Sequence, residues 1–64
     1  MALPTDEDKA REAHARYIAE LPTVEERREE IQLIDKHHQH EPEFIEDMKG
    51  RVKRIYRDLR SQEQ

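Results

Sequence analysis

The sequence contains no cysteine, and this absence removes two common ways of stabilising a small domain. A chain without thiols forms neither a disulfide framework nor a thiolate zinc site, and its composition suits a reducing compartment. Long apolar runs are missing as well, so the sequence has neither the core of a signal peptide nor a membrane span. We therefore expect a cytoplasmic protein that does not associate with membranes.

Groups that perform catalysis are also scarce. The one serine, Ser61, lies in a polar tail with no base beside it. Acids are plentiful, yet they are spread over the outer part of the second predicted helix, at Glu25, Glu26, Glu29 and Glu30. Nucleophilic catalysis needs a nucleophile next to a base, and acid–base catalysis needs carboxylates whose environments differ. We expect no enzymatic activity and no cofactor.

The length of the chain limits its core. With 64 residues the protein forms one domain, 1–64, in which few large apolar side chains are available for burial. Ordering the chain costs roughly 1.5 kcal/mol per residue, and burial of so few side chains hardly exceeds that cost. Self-association would add buried surface and relieve the shortage.

Charge dominates the composition and is unevenly distributed. Charged residues make up 44% of the chain, yet its formal net charge is only −4. Residues 1–48 carry 6 basic and 14 acidic side chains, whereas residues 49–64 carry 6 basic and 2 acidic ones. This asymmetry is typical of a chain with an interaction end. The preference of acids for helix starts and of bases for helix ends predicts the same pattern.

Three helix starts and no strand pattern predict an all-α fold. Thr5 and Thr23 each stand three residues before an acid, which is the capping-box spacing, and Pro42 suits the first turn of a helix. Pro22 ends the first helix because it disfavours helical geometry in the residue before it. We predict helices at about 5–20, 24–38 and 42–61. They form a three-helix bundle, or a helical hairpin plus a long third helix.

The third helix has the clearest apolar face. Seven apolar side chains fall within roughly a 120° arc of its helical wheel: Phe44, Ile45, Met48, Val52, Ile55, Tyr56 and Leu59. The first helix offers a stripe of smaller side chains: Ala10, Ala13, Tyr17, Ile18 and Leu21. The second helix offers only Val24, Ile31 and Ile34, and Arg27 interrupts them. We expect Arg27 to reach an acid or the rim of the core.

The first two helices have too little apolar surface to cover the third. A second copy would bury the exposed edge, so we expect a homodimer. The predicted contacts, for this dimer or for another protein partner, are the outward Leu33 together with Phe44, Met48, Val52, Tyr56 and Leu59. Gly50, inside the third helix, indicates either a close helix contact or a weak point.

Histidines form the first cluster with potential chemistry. His37, His38, His40 and Glu41 lie within five residues of one another. Two ligands on one helical face must be four residues apart, and His37 and Glu41 meet that condition only if the second helix continues past its predicted end. We therefore predict a solvated polar corner without a metal ion. His14 is expected at the boundary of the core.

A basic ridge on the third helix is the second such cluster. Its members are Lys49, Lys53, Arg57 and Arg60, flanked by Arg51 and Arg54 and adjacent to Tyr56. Such a ridge could follow the phosphates of DNA or RNA, with the tyrosine available for stacking. The chain as a whole is acidic, however, whereas nucleic-acid binders usually carry a basic excess. Pairing with the acids of the first two helices, or with an acidic protein partner, is the other interpretation.

Four short segments follow one another within residues 11–56: Ala15-Arg16-Tyr17-Ile18, Leu21-Pro22, Glu26-Arg27-Arg28 and Val52-Lys53-Arg54-Ile55-Tyr56. Their order resembles that of small uncharacterised helical proteins encoded by phages and prophages. The resemblance implies an accessory protein of a mobile element that acts by binding a host or phage macromolecule, with inhibition of a host enzyme or defence complex as one form of that action. We expect a non-enzymatic helical module that binds another protein. The alternative is a DNA- or RNA-associated regulator that uses the basic ridge.

Overall fold

The computed structural model describes residues 5–62 and contains three α-helices within them. They are α1 (Asp6–Ala19), α2 (Val24–His37) and α3 (Pro42–Gln62). No strand occurs in this part of the chain. The all-α, three-helix prediction is therefore confirmed, and each helix end lies within about one residue of its predicted position.

Threonine side chains fix the starts of the first two helices. The Thr5 hydroxyl oxygen accepts a hydrogen bond from the backbone N–H of Asp8, and Thr23 accepts one from Glu26, both at 3.1 Å. Each bond satisfies one of the backbone donors that a helix leaves free at its first turn. Both predicted caps are confirmed, so the corner that contains Pro22 is defined by local sequence alone.

The helices run up, down and up. Asp8, in the first turn of α1, pairs with Arg51 in the first half of α3. Ala19, at the end of α1, lines the same groove as Tyr56 in the second half of α3, so α1 and α3 are parallel. The Arg27 guanidinium, near the start of α2, lies over the Tyr56 ring, so α2 is antiparallel to both neighbours.

Six buried side chains form the core: Ala15, Ile18, Ala19, Ile34, Met48 and Val52. The predicted face of α3 is confirmed, because Met48 and Val52 lie at the centre of the core and its five other members pack partly buried around them. Burial of an isoleucine, valine or methionine side chain stabilises a fold by about 1.5–3 kcal/mol. A core of this size leaves little reserve of stability.

The predicted apolar stripe of α1 is wrong at three of its five members and confirmed at the other two, since Ile18 is fully buried and Leu21 packs against the core. Ala10, Ala13 and Tyr17 are exposed, and α1 instead turns the face with Ala15 and Ala19 toward α3. These two alanines are four residues apart and form a small flat surface, so the two helix backbones can approach closely. That contact orients α1 and leaves the larger Tyr17 side chain 56% exposed.

Helix α2 is attached less closely than α1. It makes far fewer close backbone approaches to its neighbours than α1 and α3 make to each other. Ile34 is its one buried residue, Ile31 is half-buried, and Val24 is 53% exposed. Arg27 pairs with no acid in the described residues but lies half-buried at the rim of the core, one of the two expected places, where it donates a 2.8 Å hydrogen bond to the carbonyl oxygen of Leu21. The predicted weakness of this helix is confirmed.

Gly50 does not mark a close helix contact. The residue is exposed, and a Cβ atom added to it would have no neighbouring atom within 4 Å. The first interpretation of this glycine is therefore wrong. What remains is the conformational cost of glycine inside a helix, which is about 1 kcal/mol relative to alanine.

Candidate interaction surfaces

A network of charged side chains joins α1 to α3. Arg51 is its centre: its guanidinium donates to Glu12 at 2.7 Å, to Asp47 at 2.9 Å and to Asp8 at 3.3 Å. Arg54 also donates to Glu12, at 2.6 Å. The bonds from Arg54 and Arg51 lower the pKa of Glu12. Arg51 is thus occupied by internal acids and contributes to the packing of the two helices.

Arg11 extends this network toward the start of α3. It donates to Asp47 at 3.0 Å, and the bonds from Arg51 and Arg11 together lower the pKa of that carboxylate. The Arg11 guanidinium also lies 4.7 Å from the centre of the Phe44 ring. Its Nε atom is buried and has no hydrogen-bond partner among the described residues. This side chain is held by its terminal nitrogens and by the aromatic ring.

The basic ridge is not continuous. Lys49 pairs with Asp35 at 3.3 Å, and Arg60 donates to the hydroxyl oxygen of Tyr56 at 3.1 Å. Lys53 and Arg57 are exposed and have no acidic partner within residues 5–62. With Arg51 and Arg54 also paired internally, the ridge retains three exposed cations without an acidic partner in the described residues, namely Lys53, Arg57 and Arg60.

Two of the six predicted partner contacts are buried inside the folded chain. Met48 is fully buried and Val52 is 5% exposed, because α1 and α2 cover the centre of α3. The predicted use of these two residues as an outer contact is therefore incorrect for the folded chain. Phe44, Tyr56 and Leu59 are half-buried against the core, whereas Leu33 is 45% exposed as expected.

A groove between α1 and α2 is lined by Leu33, one of the exposed large apolar side chains. Its volume is about 240 Å³, and its lining residues are His14, Glu30, Leu33, Ile34, His37 and His38. Tyr17 lies three residues after His14, so it continues the same side of α1. We call the surface formed by His14, Tyr17, Leu33 and His37 the α1–α2 face. The helical spacing of α1 does not reveal this face, because the apolar pattern of the sequence places Tyr17 in the core.

The corner between α2 and α3 is less solvated than predicted. His37 and His40 are exposed, but His38 is half-buried and its ring centre lies 4.1 Å from that of Phe44. The carboxylate of Glu41 accepts a hydrogen bond from Nδ1 of His38, at 3.0 Å. Within residues 5–62 no three histidine or acidic side chains are grouped as metal ligands would be. The His38 ring instead packs α2 against the start of α3.

A second groove lies at the corner between α1 and α2. It has a volume of about 540 Å³ and contains the side chains of Arg27, Tyr56 and Arg60. We call it the corner groove. Both arginines lie close to the tyrosine ring, so one cation from α2 and one from α3 reach the same concave surface.

Three comparisons with known proteins identify no relative of this chain. No family model matches the chain, and no match was found among curated proteins or among solved structures. The resemblance to phage and prophage proteins therefore stays a prediction. Among the described residues, no helix is both long enough and apolar enough to cross a membrane.

Proposed function

We propose that this chain is a small non-enzymatic helical module that binds another protein through the α1–α2 face. The observation that carries the proposal is the exposure of Leu33 in the wall of a groove and of Tyr17 on the adjoining side of α1, while only six side chains are buried among residues 5–62. Exposed aromatic and aliphatic side chains at the edge of a groove are typical of protein contacts, where they become buried and supply most of the binding energy.

The geometry of the groove favours an amphipathic helix as the bound element. Two antiparallel helices present a concave line between them, and a further helix laid into that line completes a four-helix arrangement. Glu30 lines the groove, and the exposed Glu26 precedes it by one turn on α2. Basic residues along the edge of the partner helix would pair with these two acids.

The homodimer is one form of this function. A second copy of the chain would supply the partner helices. The two copies would meet through the α1–α2 face and not through the centre of α3, which is buried. An inhibitor of a host macromolecule, as the resemblance to mobile-element proteins implies, is another form. Sedimentation equilibrium separates the two, since a homodimer has twice the 7.8 kDa mass of the chain and a module for other proteins stays at that mass.

Capture from nuclease-treated and untreated extracts tests the proposal with three forms of the intact protein. The first is the unchanged chain, the second carries Tyr17→Gln and Leu33→Gln, and the third carries Lys53→Gln as an exposed control on α3. We expect a defined protein to be retained by the first and third forms and lost with the second, while thermal melting remains unchanged. Retention by the second form would disprove the assignment of the face.

The nucleic-acid alternative has one observation in its favour, the exposure of Lys53, Arg57 and Arg60 without an acidic partner in residues 5–62. Binding through phosphates falls steeply with salt, whereas binding through Tyr17 and Leu33 does so weakly. If capture depends on nucleic acid and is lost with Lys53→Gln, the alternative is correct. A modest salt dependence supports the protein partner.

A further inference from the structure

The corner groove combines two cations with an aromatic ring and apolar walls. It is open to solvent and lies between the α1–α2 corner and the last turns of α3. Among its lining residues are Ala19, Leu21, Pro22, Arg27, Tyr56 and Arg60. Chain segments that are far apart in the sequence therefore form one concave surface.

The guanidinium groups of Arg27 and Arg60 both lie close to the Tyr56 ring. The central carbon of Arg27 lies 4.6 Å from the centre of the Tyr56 ring, and that of Arg60 lies 5.6 Å from it. Stacking over an aromatic face stabilises a cation and restricts its movement. The two guanidinium carbons are consequently no more than about 10 Å apart.

Neither guanidinium has an acidic partner within residues 5–62. Arg27 donates to the carbonyl oxygen of Leu21, and Arg60 donates to the hydroxyl oxygen of Tyr56. Each guanidinium carries five N–H groups, so most of their donors are unused within this part of the chain. Glu20 also lines the groove, but its carboxylate accepts a 3.0 Å hydrogen bond from Arg16. The groove therefore has an excess of positive charge and of donors.

We propose that the corner groove binds an acidic peptide segment, with Arg27 and Arg60 donating to its carboxylates. A guanidinium presents parallel N–H groups whose spacing matches the two oxygens of a carboxylate. The apolar walls at Leu21 and Pro22 would accept a neighbouring aliphatic side chain of the peptide. This inference rests on the proposed function as a protein binder, but it concerns a different surface and adds the chemistry of a second contact.

The net negative charge of the protein means that general electrostatic attraction cannot explain the binding of an acidic peptide. At −4, the molecule has no general attraction for an acidic peptide, so binding must come from a local arrangement of cations. Arg28, exposed next to Arg27 on α2, has no acidic partner in the described chain and does not line the corner groove. It is therefore a matched control for the loss of one positive charge.

The experiment is a titration of the isotope-labelled full chain followed by nuclear magnetic resonance. The probes are a blocked tetrapeptide of alternating leucine and glutamate, its glutamine counterpart, and inorganic phosphate. We expect the glutamate peptide to shift the signals of the Arg27, Tyr56 and Arg60 side chains. Arg27→Gln and Arg60→Gln should each raise the Kd at least about tenfold, whereas Arg28→Gln should change it less than about twofold.

Three outcomes would overturn the proposal. They are equal binding of the glutamine peptide, equal weakening by Arg28→Gln, and binding of phosphate without binding of the glutamate peptide. Arg27→Lys separates charge from folding, because it keeps the cation and should retain part of the affinity if the protein melts normally. The variant with Tyr17→Gln and Leu33→Gln should still bind the peptide, so failure of the α1–α2 face and failure of the corner groove remain distinguishable.

Discussion

The two partners of α3 are attached to it by different means. Helix α1 approaches closely through Ala15 and Ala19 and adds the charged network around Arg51. Helix α2 is held farther away by larger side chains, with Arg27 over Tyr56 near one end and His38 against Phe44 near the other. Close packing thus stabilises one half of the molecule, and stacked side chains with a small apolar contact hold the other half.

Both candidate functional surfaces lie beside α2, the less closely attached helix. Because α2 stays apart from α1 and α3, it leaves a groove on each side, and both the α1–α2 face and the corner groove include its side chains. The interface between α1 and α3 has its polar groups largely paired and offers less to a partner. Regions with few buried contacts open locally at low free energy, which suits a surface that adapts to a partner.

A matched pair of substitutions should give the largest effect and tests the comparison directly. Ile18→Ala removes a fully buried side chain of α1 and should lower the free energy of unfolding by about 2–5 kcal/mol. Ile31→Ala removes the same atoms from a half-buried position on α2 and should lower it by about 1 kcal/mol. Urea unfolding followed by circular dichroism measures both. Equal losses would show that α2 is packed as tightly as α1.

Gly50→Ala should strengthen α3, the helix that both partners share. The added methyl group meets no neighbouring atom, so the gain is the difference in helix propensity, about 1 kcal/mol. For a domain of this size the melting temperature should rise by roughly 4–8 °C. A fall in the melting temperature would show that the exposed glycine is required by a contact absent from the isolated chain.

The sequence predicts the local features of this fold better than its tertiary contacts. Thr5, Thr23 and Pro22 determine helix ends through bonds to nearby backbone, so their effects can be read without the rest of the chain. The face of α3 is also predictable, because its large side chains repeat at a helical period. The orientation of α1 is not, since alanines lie on two sides of it and only the approach of α3 decides which side is buried.

The same distinction applies to the candidate surfaces. The exposure of Leu33 follows from its position opposite the apolar stripe of α2, and it was predicted. The contact between the Arg27 guanidinium and the Tyr56 ring cannot be predicted in this way, because it depends on how α2 packs against α3. The contact of Arg60 with Tyr56 can be predicted from the helical spacing, because the two residues are four apart in α3.

Acid should loosen the interface between α1 and α3. Because their pKa values are lowered by arginines in the folded state, Glu12 and Asp47 stabilise the fold fully at pH values above about 4, where they ionise in the unfolded chain. That contribution is lost as the pH falls through the lower folded-state pKa values. Urea unfolding at pH 7 and pH 3 should show the loss. The double variant Glu12→Gln, Asp47→Asn should show a smaller change with pH, and an unchanged dependence would contradict this role of the network.

The smallest effect should come from the ion pair that links α2 to α3. Lys49 and Asp35 lie 3.3 Å apart, but their side chains are 43% and 44% exposed, so water screens the attraction and ordering two flexible groups offsets much of it. We expect Lys49→Ala to change the free energy of unfolding by less than about 0.5 kcal/mol. A double-mutant cycle with Asp35→Ala isolates the interaction between the two side chains. A coupling free energy well above about 1 kcal/mol would mean that charge, rather than stacking on Tyr56 and Phe44, holds α2 in place.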